Sequence, residues 1–138
     1  MSEQTIFAKI IAGDIPHHKI YEDESTFAFL DAEPVNPGHT LVVPKEPYEN
    51  MYEIPESEFT EVMETVHRLA PKIKDGVSAD GINIGINNES AAGQEVMHLH
   101  VHIMPRFADD NFQHWQGQDD YHDDVRGEEI AESIREEL

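Results

Sequence analysis

A chain of 138 residues is long enough for one domain with a single substantial core and too short for two. It has no cysteine, which excludes disulfides, thiolate nucleophiles and cysteine-containing zinc patterns. Its 29 acidic residues against 9 basic ones give a formal net charge of -20, and no stretch gathers the Lys/Arg face that a protein gripping nucleic acid needs.

The acidic residues run the whole length and are densest from Asp119 to Glu137, so they read as an acidic solvated surface of the kind expected in a salt-loving organism. The N-terminus lacks the apolar stretch and small-residue cleavage site of a signal peptide, and no apolar run reaches the roughly 18 residues that span a bilayer. The expectation is a soluble cytoplasmic protein with neither membrane nor nucleic acid as a partner.

In chain order, Ile6, Phe7, Ile10 and Ile11 fall at helical spacing and Gly13 stops the pattern, predicting a short first helix. Two strands, Lys19 to Glu22 and Thr26 to Leu30, are predicted on either side of the Asp23-Glu24-Ser25 turn, and a third from His39 to Val43. Pro55, Glu56 and Glu58 open the longest helix, with Phe59, Val62, Met63, Val66 and Leu69 as its apolar stripe, and Pro71 is expected to end or kink it. Ile82, Ile84 and Ile86 alternate with Asn83, Gly85 and Asn87 as a half-buried strand, and Met97 to Met104 reads as another. Ile130, Ile134 and Leu138 share one helical face. Strands grouped with helices predict an α+β fold: an antiparallel meander sheet with one long and one short helix, in one domain over residues 1–138 with its core at 5–106 and an acidic tail at 107–138.

The informative stretch is His98-Leu99-His100-Val101-His102-Ile103-Met104. Side chains alternate across a strand, so the three imidazoles share one face and Leu99, Val101 and Ile103 share the other, which is expected to be the buried one. On spacing alone the row fits metal binding, nucleophilic or acid–base chemistry, or a solvated strand. A catalytic metal site usually adds a carboxylate ligand, and Glu95, the nearest, sits where a strand start does not place it dependably. The polar loop Asn87-Asn88-Glu89-Ser90-Ala91-Ala92-Gly93-Gln94-Glu95 just upstream offers amides and backbone N–H groups to phosphate oxygens and shifts the balance toward phosphoryl chemistry.

The seven residues from His98 to Met104, behind the Gly93-Gln94 pair, resemble the signature of the histidine triad (HIT) family. Ile6-Phe7-Ala8-Lys9-Ile10-Ile11 with Ile15-Pro16, then Phe27-Ala28-Phe29-Leu30-Asp31, then Pro37-Gly38-His39-Thr40-Leu41-Val42-Val43-Pro44 are similar to the family's earlier landmarks, and the resemblance spans Thr5 to Arg106. It implies a HIT-like fold whose two sheets join in a homodimer, and a nucleotide hydrolase or transferase that forms a nucleotidyl-histidine intermediate on a purine nucleoside phosphoramidate without metal or cofactor. By the same resemblance His100 is the nucleophile, and His98, His102 and His39 orient it and handle the leaving-group proton. Asn87, Gly93 and Gln94 meet the phosphate, Asp31 holds the ribose hydroxyls, and Ile6, Phe7, Ile10, Ile15 and Phe29 form the purine pocket. Residues after the triad reach the partner's site in this family, a role open to Trp115.

Taken one at a time, several of these residues have plainer readings. The apolar residues suit any core, Asp31 before Ala32-Glu33-Pro34 suits a turn, Asn87 and Gln94 suit a loop, and His39 suits a structural histidine. His17, His18, His67 and His122 read as surface residues, and His114 beside Trp115 is open. Glu95 replaces the small hydroxyl residue of the Hint branch, while Pro105-Arg106 is closer to the Fhit and bacterial branches. The alternatives are accordingly a Fhit-like dinucleoside polyphosphate hydrolase, a nucleotide-binding regulatory module and a metal-dependent enzyme.

Overall fold

The computed structural model describes residues 4–113 and 115–138; His114 lies outside them. Strands β1 (Lys19–Glu22), β2 (Thr26–Leu30), β3 (Thr40–Pro44), β4 (Gly81–Gly85) and β5 (Val101–Arg106) form one antiparallel sheet in the order β1-β2-β3-β5-β4. Helices α1 (Ile6–Ile11), α2 (Glu56–Gly76) and α3 (Asp124–Arg135) accompany it, with a short 3-10 turn at Ser90–Ala92. The α+β class is as the sequence predicts, with α3 as a third helix in the acidic tail.

The meander holds through β1, β2 and β3 and is then interrupted. Both β3 and β4 pair antiparallel with β5, so they run parallel to each other, and a parallel relation requires a crossover rather than a tight turn. Helix α2 is that crossover.

The sheet is covered on both faces. On one, Val62, Val66 and Leu69 of α2 pack with Ala28, Val42, Leu99, Val101 and Ile103; on the other, Phe7 and Ile10 of α1 pack with Phe27, Phe29, Leu41 and Val43. This explains why β3 is a continuous buried run rather than an alternating one. Burial of each Val, Leu, Ile or Phe side chain contributes about 1.5–3 kcal/mol, so the central strands anchor everything placed on them.

Two expectations are corrected here. Of the two outcomes expected at Pro71 the end does not occur: helix α2 runs on to Gly76, Pro71 and His67, whose carbonyl loses its partner, are both exposed to solvent, and Leu69 and Ile73 hold the helix to the sheet on either side. The last strand begins at Val101 rather than Met97, because the backbone ahead of it bonds outside the ladder, Leu99 N–H donating to the Tyr48 carbonyl at 2.8 Å. Helix α3 forms from the predicted periodicity but has no fully buried residue; Ile130 is half-buried, Ile134 is 59% exposed, and Leu138, beyond the helix end, 99%. No helix among the described residues is long and apolar enough to cross a membrane.

Candidate active site

The pleat at the head of β5 separates the two kinds of residue as alternation requires. Leu99, Val101 and Ile103 enter the α2 core, and His98, His100 and His102 lie on the opposite side. That side is not open to water, as a row turned away from the core would be. Helix α1 covers it: Phe7 sits edge-on to the His98 and His100 rings, with centroids 5.8 and 4.9 Å away, and His98 is completely buried.

Hydrogen bonds to groups of fixed polarity determine which nitrogen of each ring carries its hydrogen. His98 Nε2 faces the Pro44 carbonyl at 2.8 Å and must donate, so Nδ1 accepts from the Thr5 hydroxyl at 2.7 Å. His100 Nδ1 faces the His98 carbonyl at 2.8 Å and must also donate, which leaves a lone pair on Nε2. His39 Nδ1 accepts from Val35 N–H at 3.0 Å, so Nε2 carries the hydrogen and donates to His102 Nδ1 at 2.9 Å. His102 therefore bears its own hydrogen on Nε2.

Electrostatics keep these rings neutral. Burial holds His98, His100 and His39 below the ordinary imidazole value, against the raising pull of the Pro44 carbonyl on the first, of the His98 carbonyl and Asp31 on the second, and of Asp31 on the third. Burial first, then the neighbouring His100 and His39, brings His102 down to about 4. The outcome is a nucleophilic lone pair beside a donor N–H at neutral pH.

Asp31, His39 and His102 lie close enough to share an ion. The hydrogen bonds argue against that use. With Nδ1 accepting from Val35 N–H, His39 could offer Nε2 to a cation only as an imidazolate, and His102 Nδ1 is already engaged by His39. The cluster suits a hydrogen-bonded relay better than a metal.

A cleft of about 800 Å3 opens over the histidines. Of the residues singled out from sequence, Ile6, Phe7, Ile10 and Phe29 form its apolar wall, Asp31 its rim, and Asn87, Gly93, His100 and His102 its polar end. Gly93 has φ +96, and a Cβ there would lie 3.3 Å from the Asn87 amide nitrogen, so glycine lets the loop close on that side chain. Asp31 also serves the turn: one carboxylate oxygen accepts from Glu33 N–H at 2.9 Å while the other lies 3.6 Å from His39 Nε2.

Other residues singled out from sequence lie away from the cleft wall. Gln94 is buried and turned inward, its oxygen accepting from Glu89 N–H at 2.8 Å and its nitrogen donating to the Glu49 and Val96 carbonyls at 2.6 and 3.0 Å. It therefore clamps the loop and does not line the cleft. Ile15 packs at the margin of the α1 core and does not line the cleft, and neither do His98 and His39. His17 and His18, read from sequence as surface residues, line the cleft, as do Glu33 and Glu95. Thr5 carried no functional expectation. As a threonine ahead of an apolar helix it is legible as a cap, and it does accept from Ala8 N–H at 3.0 Å, but its bond to His98 joins residues 93 positions apart.

The sequence model of the HIT domain family matches residues 12–109. The chain belongs to the HIT family. Among its HIT relatives, the hit protein of Bacillus subtilis is 47% identical over 106 residues, covering 77% of this chain and 73% of that one. A crystal structure of a HIT family member from Bacillus subtilis superposes with a TM-score of 0.90 at 42% identity, covering 99% of this chain and 98% of that one. The adenosine 5'-monophosphoramidase of Saccharomyces cerevisiae is 39% identical over 101 residues, covering 73% of this HIT chain and 61% of the yeast protein.

Proposed function

We propose that this HIT protein hydrolyses purine nucleoside 5'-phosphoramidates through a nucleotidyl group carried on His100. One observation carries the reading: the His100 Nδ1 bond to the His98 carbonyl leaves the Nε2 lone pair in a ring that lines the cleft beside His102. The base lies against Ile6, Phe7, Ile10 and Phe29, the ribose hydroxyls reach Asp31, and the phosphate meets Asn87 and the backbone around Gly93. The yeast relative named as a monophosphoramidase supports the substrate class.

In the first half-reaction Nε2 forms a bond to the α-phosphorus as the P–N bond breaks. The departing nitrogen accepts a hydrogen bond from His102 Nε2–H, takes its proton from solvent and leaves as the amine, while His39 holds His102 in that orientation through Nδ1 and both rings stay neutral. The ring that carries phosphorus on Nε2 and hydrogen on Nδ1 is cationic, and its centroid is 5.0 Å from that of His102. Water then attacks phosphorus, the P–Nε2 bond breaks, His100 returns as neutral imidazole, and the water's proton passes to solvent. Nucleoside polyphosphates fit less well as substrates, since no Lys or Arg lines the cleft among the described residues while Asp31, Glu33 and Glu95 do. A homodimer joined through the outer strand β4 completes the proposal.

Rapid quench with adenosine 5'-phosphoramidate labelled at phosphorus tests the reading. The native protein is expected to trap an acid-labile adduct, and His100→Ala to form none and to lose turnover by about 10³ or more. An active His100→Ala protein and a native protein without adduct would refute it. A module that only binds nucleotide would bind without the adduct.

A further inference from the structure

Residues 31–39 join β2 to β3 and belong to neither strand, yet the polarity of the histidine pair depends on the shape of this turn. Within it the Val35 N–H reaches His39 Nδ1 at 3.0 Å, and the His39 N–H donates to the Asn36 carbonyl at 3.1 Å. Val35 and Asn36 thus grip the ring and the backbone of one histidine from consecutive positions.

The turn is fastened from a distant part of the chain. Asn36 Nδ2 donates to the Pro105 carbonyl and to Asp110 Oδ2, each at 2.9 Å, across 69 and 74 positions of sequence. Asp110 is itself immobilised. Its carboxylate accepts from Arg106 Nε at 2.9 Å and Nη2 at 2.8 Å, and from the N–H groups of Phe107 and Phe112 at 2.9 and 3.2 Å. The Arg106 and Asp110 side chains are only 10% and 8% exposed, and a two-point guanidinium–carboxylate pair fixes orientation as well as distance. Gly38 seats the turn on the same strand end: its φ is +96, and a Cβ there would lie 2.9 Å from Val77 Cγ1 and 3.2 Å from Pro105 Cγ.

Asparagine is matched to this place. Its amide has two hydrogens for two acceptors, where aspartate would have none and serine one. Asp110 lies one residue beyond the stretch that the family model matches, at the head of a segment that reads from sequence as an acidic surface tail. The fold takes this carboxylate inward.

We infer that Asn36, anchored by Asp110, is a positioning residue of the reaction: it holds the turn that fixes the direction of the His39 to His102 hydrogen bond. The inference rests on the nucleotidyl transfer proposed above. With the turn released, the Val35 N–H leaves His39 Nδ1, the pair can reverse its polarity, and His102 then carries its hydrogen on Nδ1 with none on Nε2 for the departing nitrogen.

The test uses two variants of the full chain with adenosine 5'-phosphoramidate. Asn36→Ala removes the amide, and Asn36→Asp keeps its shape but has no hydrogen to donate. Each is expected to lower kcat by at least about tenfold, the scale of a small misplacement of reacting groups, with little change in KM. Because Asn36 acts through His39, neither substitution should cost anything further in the His39→Ala protein, whereas a general loosening of the fold would cost as much there as in the native one. Nitrogen chemical shifts of the His102 imidazole, which separate a protonated from a bare nitrogen, give a readout independent of turnover. The native ring is expected to be protonated on Nε2, and the ring in both variants to divide between the two forms. Native kcat in both variants, a loss that adds in full to that of His39→Ala, or an unaltered His102 tautomer overturns the inference and leaves nucleotidyl transfer standing. A native protein that turns over no phosphoramidate overturns both.

Discussion

His39 donates its Nε2 hydrogen to His102 Nδ1 across 2.9 Å, and the backbone N–H of Val35, 3.0 Å from His39 Nδ1, dictates that direction. A backbone amide thus decides which nitrogen of His102 presents a hydrogen to the substrate. Replacing His39 by Ala frees His102 to move its hydrogen to Nδ1, away from the leaving group. The expected result is a fall in kcat of about 10² or more, as for loss of a preorganised hydrogen-bond donor, with a much smaller change in KM for the nucleoside. Unchanged kcat in steady-state assays would remove His39 from the relay.

The buried histidines also tie folding to pH. Each titrates lower in the folded chain than in the unfolded one, and His102 drops to about 4 from the ordinary 6.5. Between those values the unfolded state binds more protons, so stability is full above the unfolded value and declines as pH falls toward the folded one. The slope approaches about 1.4 kcal/mol per pH unit for each such histidine. Urea unfolding at pH 5 and pH 7 should therefore show a smaller difference for His102→Gln than for the native protein. Equal differences would mean that His102 titrates normally.

Thr5 closes the hydrogen bonding of a completely buried ring and caps α1 with the same oxygen. Thr5→Val leaves His98 Nδ1 without a donor and Ala8 N–H without an acceptor, at a cost of about 1–3 kcal/mol. Thr5→Ser keeps both bonds and should recover most of the loss. Denaturant midpoints check this, and equal midpoints for the Val and Ser variants would show the hydroxyl to be dispensable.

Asp31 has two duties to separate. Asp31→Asn keeps an oxygen for the Glu33 N–H and so spares the turn, while weakening the grip on ribose hydroxyls. Ribonucleotide affinity is expected to drop by about 1.5–3 kcal/mol, and that of a 2',3'-dideoxy analogue to stay level. Equal losses by calorimetry would return Asp31 to a purely structural role.

The net charge of -20 predicts a response to salt. Repulsion among surface carboxylates disfavours the compact state, and its reach shrinks from about 10 Å at 0.1 M to about 3 Å at 1 M ionic strength. Both the urea midpoint and kcat/KM for an anionic substrate should rise from low salt to molar KCl. A protein equally stable and active at both ends would sever the acidic surface from salt adaptation.

What could be read in advance depended on the range of the interactions involved. Strands β1 and β2 stand where alternation and the Asp23 turn predict them, because Asp23 accepts from Ser25 and Thr26 N–H within three residues of itself. The segregation of the histidines from Leu99, Val101 and Ile103 is equally local, a property of the pleat. That His98 is sealed under α1 depends on Thr5, on Pro44 and on Phe7, each more than fifty positions away, and no periodicity encodes it. The inward turn of Gln94 has the same origin in the Glu49 carbonyl. Pro71 misleads for another reason: the damage a proline does to a helix depends on whether water reaches the orphaned carbonyl, a property of the surface rather than of the residue.

The histidines occupy alternate positions of one unbroken stretch from His98 to His102, so their mutual spacing is a matter of chain geometry. Inserting or deleting one residue beside Leu99 would exchange the two faces there, turning imidazoles into the α2 core and an aliphatic side chain into the cleft. The segment is free to vary in composition at its aliphatic positions but is locked in length. Residues 115–121 belong to no helix or strand and none of them lines the cleft that holds His100, so no such lock on length applies to them. Insertions and deletions are expected to be tolerated there and not between His98 and His102.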